Sequence, residues 1–196
     1  MAWKQKGKRL EIIGVDLDKW GLLTYQKNHA GQGIRADIRY LPFRNKPFFD
    51  LIFGGVPCQG FSSINIKARQ KGYDPRNDLI FVFANIIRKL QPTYFIFENV
   101  PGLLSWEKGS WFRRLLHHFY QSGYGYEWRL INAVHYGVPQ DRKRIIVLGW
   151  LNCLERATFP TPQNYCPNWE RCLECGPHIL MEKIRDYPDI KQYRKM

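Results

Sequence analysis

The chain has 196 residues, 44% hydrophobic and 15% aromatic, which is enough apolar material for one folded domain and too much for a disordered tail. Its 30 lysines and arginines against 17 acidic residues leave a formal charge of +13, which points to an anionic partner, most simply nucleic-acid phosphates, or to a merely soluble basic surface. No apolar run is long enough to cross a bilayer, residues 1–10 are basic without a secretory apolar stretch, and the five cysteines do not form a spread disulfide framework, so a cytoplasmic protein without membrane contact is expected.

Short apolar runs at 10–15, 49–53, 94–97, 128–131 and 145–148 predict strands. A helix is expected from 18 towards 28. Leu79, Phe83, Ile86, Ile87 and Leu90 recur at helical spacing, with Asn77 and Asp78 as cap candidates and Pro92 as the stop. Trp111, Leu115, Leu116 and Phe119 predict another helix between Ser110 and Gly123. This alternation implies an α/β fold with a mostly parallel sheet. Near residue 158 the pattern ends in FPTPQNYCPNWERCLECGP, read as a linker. The expected division is a catalytic-type domain over 1–157 and a separate segment over 158–196, with a short helix near 179–185.

Polar or special residues stand where the strands end, the edge at which open α/β sheets bind ligands. Asp16 follows the first run, Gly54, Gly55, Pro57 and Cys58 the second, and Glu98 and Asn99 the third. If 144–150 returns antiparallel to 128–133, the loop HYGVPQDRKR leaves Arg142 and Arg144 beside Cys58 and Glu98. Cys58, in GGVPCQGFSS, is either a nucleophilic thiolate in basic surroundings or a small buried cysteine in a tight turn. Glu98, ending an apolar strand, is a proton donor of raised pKa or a structural carboxylate. Arg142 and Arg144 project the same way from an extended stretch, towards phosphates or carbonyl oxygens, or form a solvated basic turn. Asp16 is a ribose ligand or a helix cap, a role for which Asp18 competes.

Taken together, GGVPCQGFS, FENV and QDRKR, in this order, resemble the signature blocks of cytosine-C5 DNA methyltransferases. The likeness runs from about residue 11 to 151, and more faintly through MEKIRDYPDI. It implies a Rossmann-like sheet, mostly parallel with one antiparallel strand, that uses S-adenosylmethionine to methylate carbon 5 of a cytosine flipped out of DNA. It casts Cys58 as the nucleophile at carbon 6 and Glu98 as the group on ring nitrogen 3. Arg144 is cast as the holder of the cytosine carbonyl oxygen, with Arg142 as its partner near the flipped nucleotide. Asp16 and Leu17 fall at the cofactor ribose, Asp37 and Ile38 at its adenine, and Gly55 and Pro57 between cofactor and base. Gln59, Ser62, Asn99, Val100 and Gln140 belong with the substrate.

The resemblance is partial. The family's opening glycine loop, of the type DLFAGxGG, has no counterpart here, nor do most of the target-recognition region and the closing block. The expectation is therefore a truncated sheet, and an enzyme that is split and needs a complementing chain. The alternatives are an inactive remnant or nucleic-acid-binding subunit and, more weakly, an RNA cytosine methyltransferase. Separately, Cys166, Cys172, Cys175 and His178 are spaced C-x5-C-x2-C-x2-H, a possible zinc set or simply reduced surface cysteines.

Overall fold

The computed structural model describes residues 11–29, 31–41, 48–57, 75–138 and 140–162. The elements begin with β1 (Ile13–Asp16), α1 (Lys19–Asn28), β2 (Gln32–Arg35), a 3-10 turn at Ile38–Tyr40, and β3 (Leu51–Gly55). A 3-10 turn at Pro75–Asp78 runs into α2 (Leu79–Leu90). Then come β4 (Tyr94–Asn99), the short α3 (Gly102–Ser105), a turn at Trp106–Gly109 and α4 (Ser110–Gln121). The last elements are β5 (Tyr124–Asn132), a turn at Ala133–Tyr136 and β6 (Lys143–Leu151).

Every strand and helix expected between residues 10 and 151 is present. One strand was not expected. β2 reads QGIR, with a single large apolar residue, and is a strand because it pairs in parallel with β1, from Ile13 opposite Gln32 to Asp16 opposite Arg35. The other strands form a sheet in the order β3-β4-β6-β5. β3 and β4 are parallel, and β6 runs antiparallel to both its neighbours, so it is the antiparallel strand that the fold class includes.

Alternation along β4 and β6 turns one side chain in two towards the core. Phe95, Phe97, Ile145 and Val147 are buried there against Ile80, Phe83, Ala84 and Ile87 of α2 and Leu115 and Phe119 of α4. The rings interlock, with Phe95 and Phe119 centroids 4.4 Å apart and Phe83 edge-on to Phe95 at 6.2 Å. Two glycines permit this packing. A Cβ on Gly54 would stand 2.3 Å from the Phe83 ring, and one on Gly149 would stand 2.0 Å from Phe95, its register partner. Buried Tyr124 closes the end of the core by donating to the Pro92 carbonyl at 2.6 Å, and burial pushes its phenol pKa up.

The opposite face carries Leu51, Phe53, Ile96, Glu98 and Ile146. The chain after β6 crosses part of it. Tyr94 donates to the Glu155 carbonyl at 3.4 Å, Arg156 lies over the Trp150 ring, and Arg129 lies over Phe159. Arg156 also pairs with Glu127 at 2.7 Å. The expected domain boundary at 157 falls within this stretch, and residues 163–196 lie outside the described residues.

The cap of α2 differs from expectation. Asp78 stands at the cap position with helical backbone angles and makes no side-chain cap bond. Asn77 is 1% exposed, and neither atom of its amide has a hydrogen-bond partner among the described residues. Its neighbour in the fully helical turn leaves no extended residue to present a capping oxygen.

Candidate active site

Three strand ends meet at one edge. Gly55 of β3 lies opposite Glu98 of β4, and Asn99 lies opposite Ile145 of β6. The antiparallel return of β6 brings Arg144 one residue beyond that pair, where its Nε stands 2.9 Å from Glu98 Oε1. Both side chains are about a quarter exposed, 23% and 26%, so the pair is reachable from solvent without being fully hydrated. A Cβ on Gly55 would come 3.7 Å from the other carboxylate oxygen of Glu98, so glycine leaves that side of Glu98 clear.

Asn99 ties the ends of β3 and β4 together. It is 1% exposed, its Nδ2 donates to the Val56 carbonyl at 3.3 Å, and its Oδ1 accepts from the Val100 N–H at 2.9 Å. Val56 is followed by exposed Pro57 and then Cys58. Cys58, Gln59 and Ser62 lie outside the described residues. The Asn99 amide therefore fixes the point at which the chain leaves β3 for Cys58. Replacing Asn99 by leucine strands both backbone groups and is expected to cost about 2 kcal/mol of stability. A thermal melt checks this, and an unchanged midpoint would show that the tie carries nothing.

The basic loop is held by a residue that the sequence reading passed over. Asn132, at the end of β5, accepts at Oδ1 from the Arg142 N–H at 3.0 Å and donates from Nδ2 to Asp141 at 2.7 Å. The Val134 N–H also approaches that oxygen at 3.4 Å. An asparagine between a strand and a tight turn is the signal that could have marked it. Arg144 reaches Glu98, whereas Arg142 is exposed and makes no side-chain contact with Glu98 among the described residues. Of the two arginines expected beside Cys58 and Glu98, Arg144 makes a contact with Glu98, and Cys58 lies outside the described residues. The backbone of Arg142 is committed to the hairpin through Asn132 and the Ala133 N–H, just before the regular β6 ladder begins. Gln140 is exposed in the same loop, its N–H bonded to the Val138 carbonyl at 2.7 Å.

A second group of candidates stands at the ends of β1 and β2. The competition between Asp16 and Asp18 is resolved. Asp18 caps α1, accepting from the Gly21 N–H at 2.6 Å, while Asp16 accepts from the Asp18 N–H at 2.8 Å and stays exposed. The carbonyl of exposed Leu17 accepts from Arg35 Nε at 3.2 Å. Asp37 caps the turn that contains Ile38 and is gripped by Arg39, with Nε at 3.0 Å and Nη2 at 2.5 Å. That guanidinium, and then the Arg39 N–H, hold the Asp37 carboxyl below its ordinary pKa. Two carboxylates thus stand at the ends of neighbouring parallel strands, an acceptor set suited to hydroxyl and amino groups.

The family model described as C-5 cytosine-specific DNA methylase matches residues 1–195. The chain belongs to that family. Among curated methylases it is similar to the type II methyltransferase M.NlaX of Neisseria lactamica, 34% identical over 152 residues, which are 77% of this chain and 48% of that protein. It is similar also to M.FnuDI of Fusobacterium nucleatum, 35% identical over 77% of this chain and 43% of the relative. The chain thus spans less than half the length of these relatives. Among solved structures, a putative DNA modification methyltransferase from an E. coli prophage superposes with a TM-score of 0.61 at 25% identity, over 76% of this chain and 45% of that one. The Entamoeba histolytica methyltransferase EhMeth shares the fold, with a TM-score of 0.60 at 18% identity over 78% and 48%. Within this methylase frame, Glu98, Asn99, Val100, Arg144, Gly55 and Pro57 gather at one edge, and Asp16, Leu17, Asp37 and Ile38 form a neighbouring group. The zinc candidates Cys166, Cys172, Cys175 and His178 lie outside the described residues.

Proposed function

We propose that this methylase-family chain transfers a methyl group to carbon 5 of cytosine in DNA through a covalent adduct with Cys58, when completed by further polypeptide. The contact between Glu98 and Arg144, at the edge where β3 leads to Cys58, is the observation that carries the reading. The Cys58 thiolate adds to carbon 6 of a cytosine turned out of the duplex. Glu98 donates a proton to ring nitrogen 3, and Arg144 holds both Glu98 and the carbonyl oxygen at carbon 2, so the ring accepts the electron pair and carbon 5 becomes nucleophilic. Once carbon 5 carries its new substituent, loss of its proton returns the electrons and expels the thiolate. S-adenosylmethionine, when bound, supplies the methyl group, and the carboxylates of exposed Asp16 and of half-buried Asp37, with Leu17 and Ile38 beside them, fit its ribose and adenine. Gln59, Ser62, Asn99, Val100 and Gln140 shape the base pocket, and Arg142 faces the flipped nucleotide's backbone. The +13 charge supplies phosphate attraction without base reading.

The test is transfer of label from S-adenosylmethionine to duplex DNA. The chain is assayed alone and mixed with the portions of M.NlaX outside the matched region, expressed separately. Transfer to carbon 5 of cytosine is expected only in the mixture. Label at another base atom, or none in any mixture, sinks the activity. Robust transfer by the chain alone removes the need for completion.

A further inference from the structure

β5, with 9 residues, stands last in the sheet order β3-β4-β6-β5, and among the described residues it pairs only with β6. The ladder between them fixes which of its amides are free. The Asn152 N–H donates to the Gly123 carbonyl at 3.1 Å, and the Ala133 N–H donates to the Arg142 carbonyl at 3.0 Å. Odd-numbered residues between these ends therefore turn their N–H and C=O towards β6. Tyr126, Trp128 and Leu130 turn theirs to the open edge. Trp128 and Leu130 stand opposite buried Val147 and Ile145, so they continue the core face of the sheet, yet they are 40% and 48% exposed. Phe112 of α4 meets the Trp128 ring edge-on at 5.1 Å and does not close over it. On the other face of β5, Glu127 and Arg129 stand two positions apart and pair with each other at 2.7 Å. Charges of one sign along an edge repel a further strand. Here the two signs alternate about Trp128.

We propose that the β5 edge is a self-association surface, at which a second copy of this chain pairs its own β5 antiparallel, with the twofold axis through Trp128. A strand paired with its own copy about a twofold axis is antiparallel, so each residue meets the one equally far from the centre on the other side. Trp128 meets the partner's Trp128, and the outward amides of both exchange hydrogen bonds. Leu130 meets the partner's Tyr126, again through outward amides, and its bare side chain continues the apolar face of the second sheet. Glu127 then faces the partner's Arg129, and Arg129 the partner's Glu127, which gives two opposite-charge pairs across the axis. Charge selects this register over its neighbours. An axis through residue 127 or 129 sets Glu127 against Glu127 or Arg129 against Arg129. An axis through Tyr126 sets Glu127 against Gly125, and one through Leu130 sets Arg129 against Ile131, so neither makes an ion pair. Glu98 and Arg144 lie on strands β4 and β6, so the pairing leaves the candidate active site open.

Sedimentation equilibrium of the 196-residue chain over a range of concentrations tests this. A monomer–dimer equilibrium is expected. Arg129→Glu sets Glu127 against a glutamate, and Glu127→Arg sets Arg129 against an arginine, so each variant alone should dimerise at least about 10-fold more weakly. Mixed in equal amounts, the two variants face each other with opposite charges, and dimerisation should return to near the wild-type level. A role of either residue within its own chain cannot produce that rescue. Leu130→Pro removes an outward N–H that β6 does not use, so it should abolish the dimer and leave the circular dichroism unchanged. Where that variant costs the fold, the charge variants alone decide. A wild-type chain that stays monomeric up to about 1 mM overturns the proposal, whether the edge is covered by the chain's own further residues or is simply inert. A dimer that ignores both charge variants lies on another surface and overturns it too. Weakening by each variant without rescue in the mixture removes the register through Trp128 and, with it, the proposal.

Discussion

Cys58→Ser abolishes trapping of the completed enzyme on duplex DNA that carries 5-fluorocytosine. Fluorine cannot leave carbon 5 as a cation, so the wild-type adduct stalls after methylation and survives denaturing electrophoresis. A serine hydroxyl is far less ionised than a thiol at neutral pH and is a poor nucleophile towards an aromatic carbon. Methyl transfer should fall by on the order of 10⁴-fold or more, the scale seen when a covalent nucleophile is removed. DNA binding, which rests on the basic surface, should be unchanged in a filter or anisotropy assay at fixed salt. A Cys58→Ser protein that traps as well as wild type would move the nucleophile elsewhere.

Arg144→Ala carries the second large effect. Arg144 is the cation on Glu98, at 2.9 Å, and its removal leaves the carboxylate free to reorient at the moment it must meet the ring. Loss of one preorganised group of this kind costs about 10²–10³-fold in kcat. The structural share is small, about 1 kcal/mol, because the pair is partly hydrated. A rate loss far above the stability loss therefore separates a role in the reaction from a role in the fold. Arg144→Lys should recover little, because the contact is made by the guanidinium Nε and an ammonium offers no such fixed geometry. A lysine variant with near wild-type kcat would reduce Arg144 to a point charge.

Strands bounded by glycine, proline or an acidic residue were legible, because apolar runs of that length have few other uses in a chain of this composition. β2 was not. Its residues have little strand preference of their own, and its pairing with β1 is a tertiary fact. β5 extends four residues before the expected run, since β6 pairs with it along nine positions from Tyr124 to Asn132. The meeting of Glu98 and Arg144 could be foreseen from strand ends and the antiparallel return of β6. The tie of the Arg142 backbone to Asn132 could not, because it is a contact between the end of one strand and the loop before the next. The choice between Asp16 and Asp18 also needed geometry. Both precede α1, and only a donor–acceptor distance tells a cap from a free carboxylate.

The division into two sheets also divides the stability of the molecule. Of the buried apolar residues among those described, Leu22 alone comes from the β1–α1–β2 unit, and the others lie at Val56 or beyond, mostly between α2 and β6. Opening of the first unit costs little of the core and is the low-energy fluctuation of the fold. Asp16 and Asp37 stand on that unit, whereas Glu98 and Arg144 stand on the other. A small molecule gripped by the two aspartates must therefore pay to order the unit as it binds, and its apparent affinity is the intrinsic affinity scaled by the ordered population. Anything that rigidifies β1 tightens that binding without touching the small molecule, and calorimetry would record the gain as a smaller entropic loss.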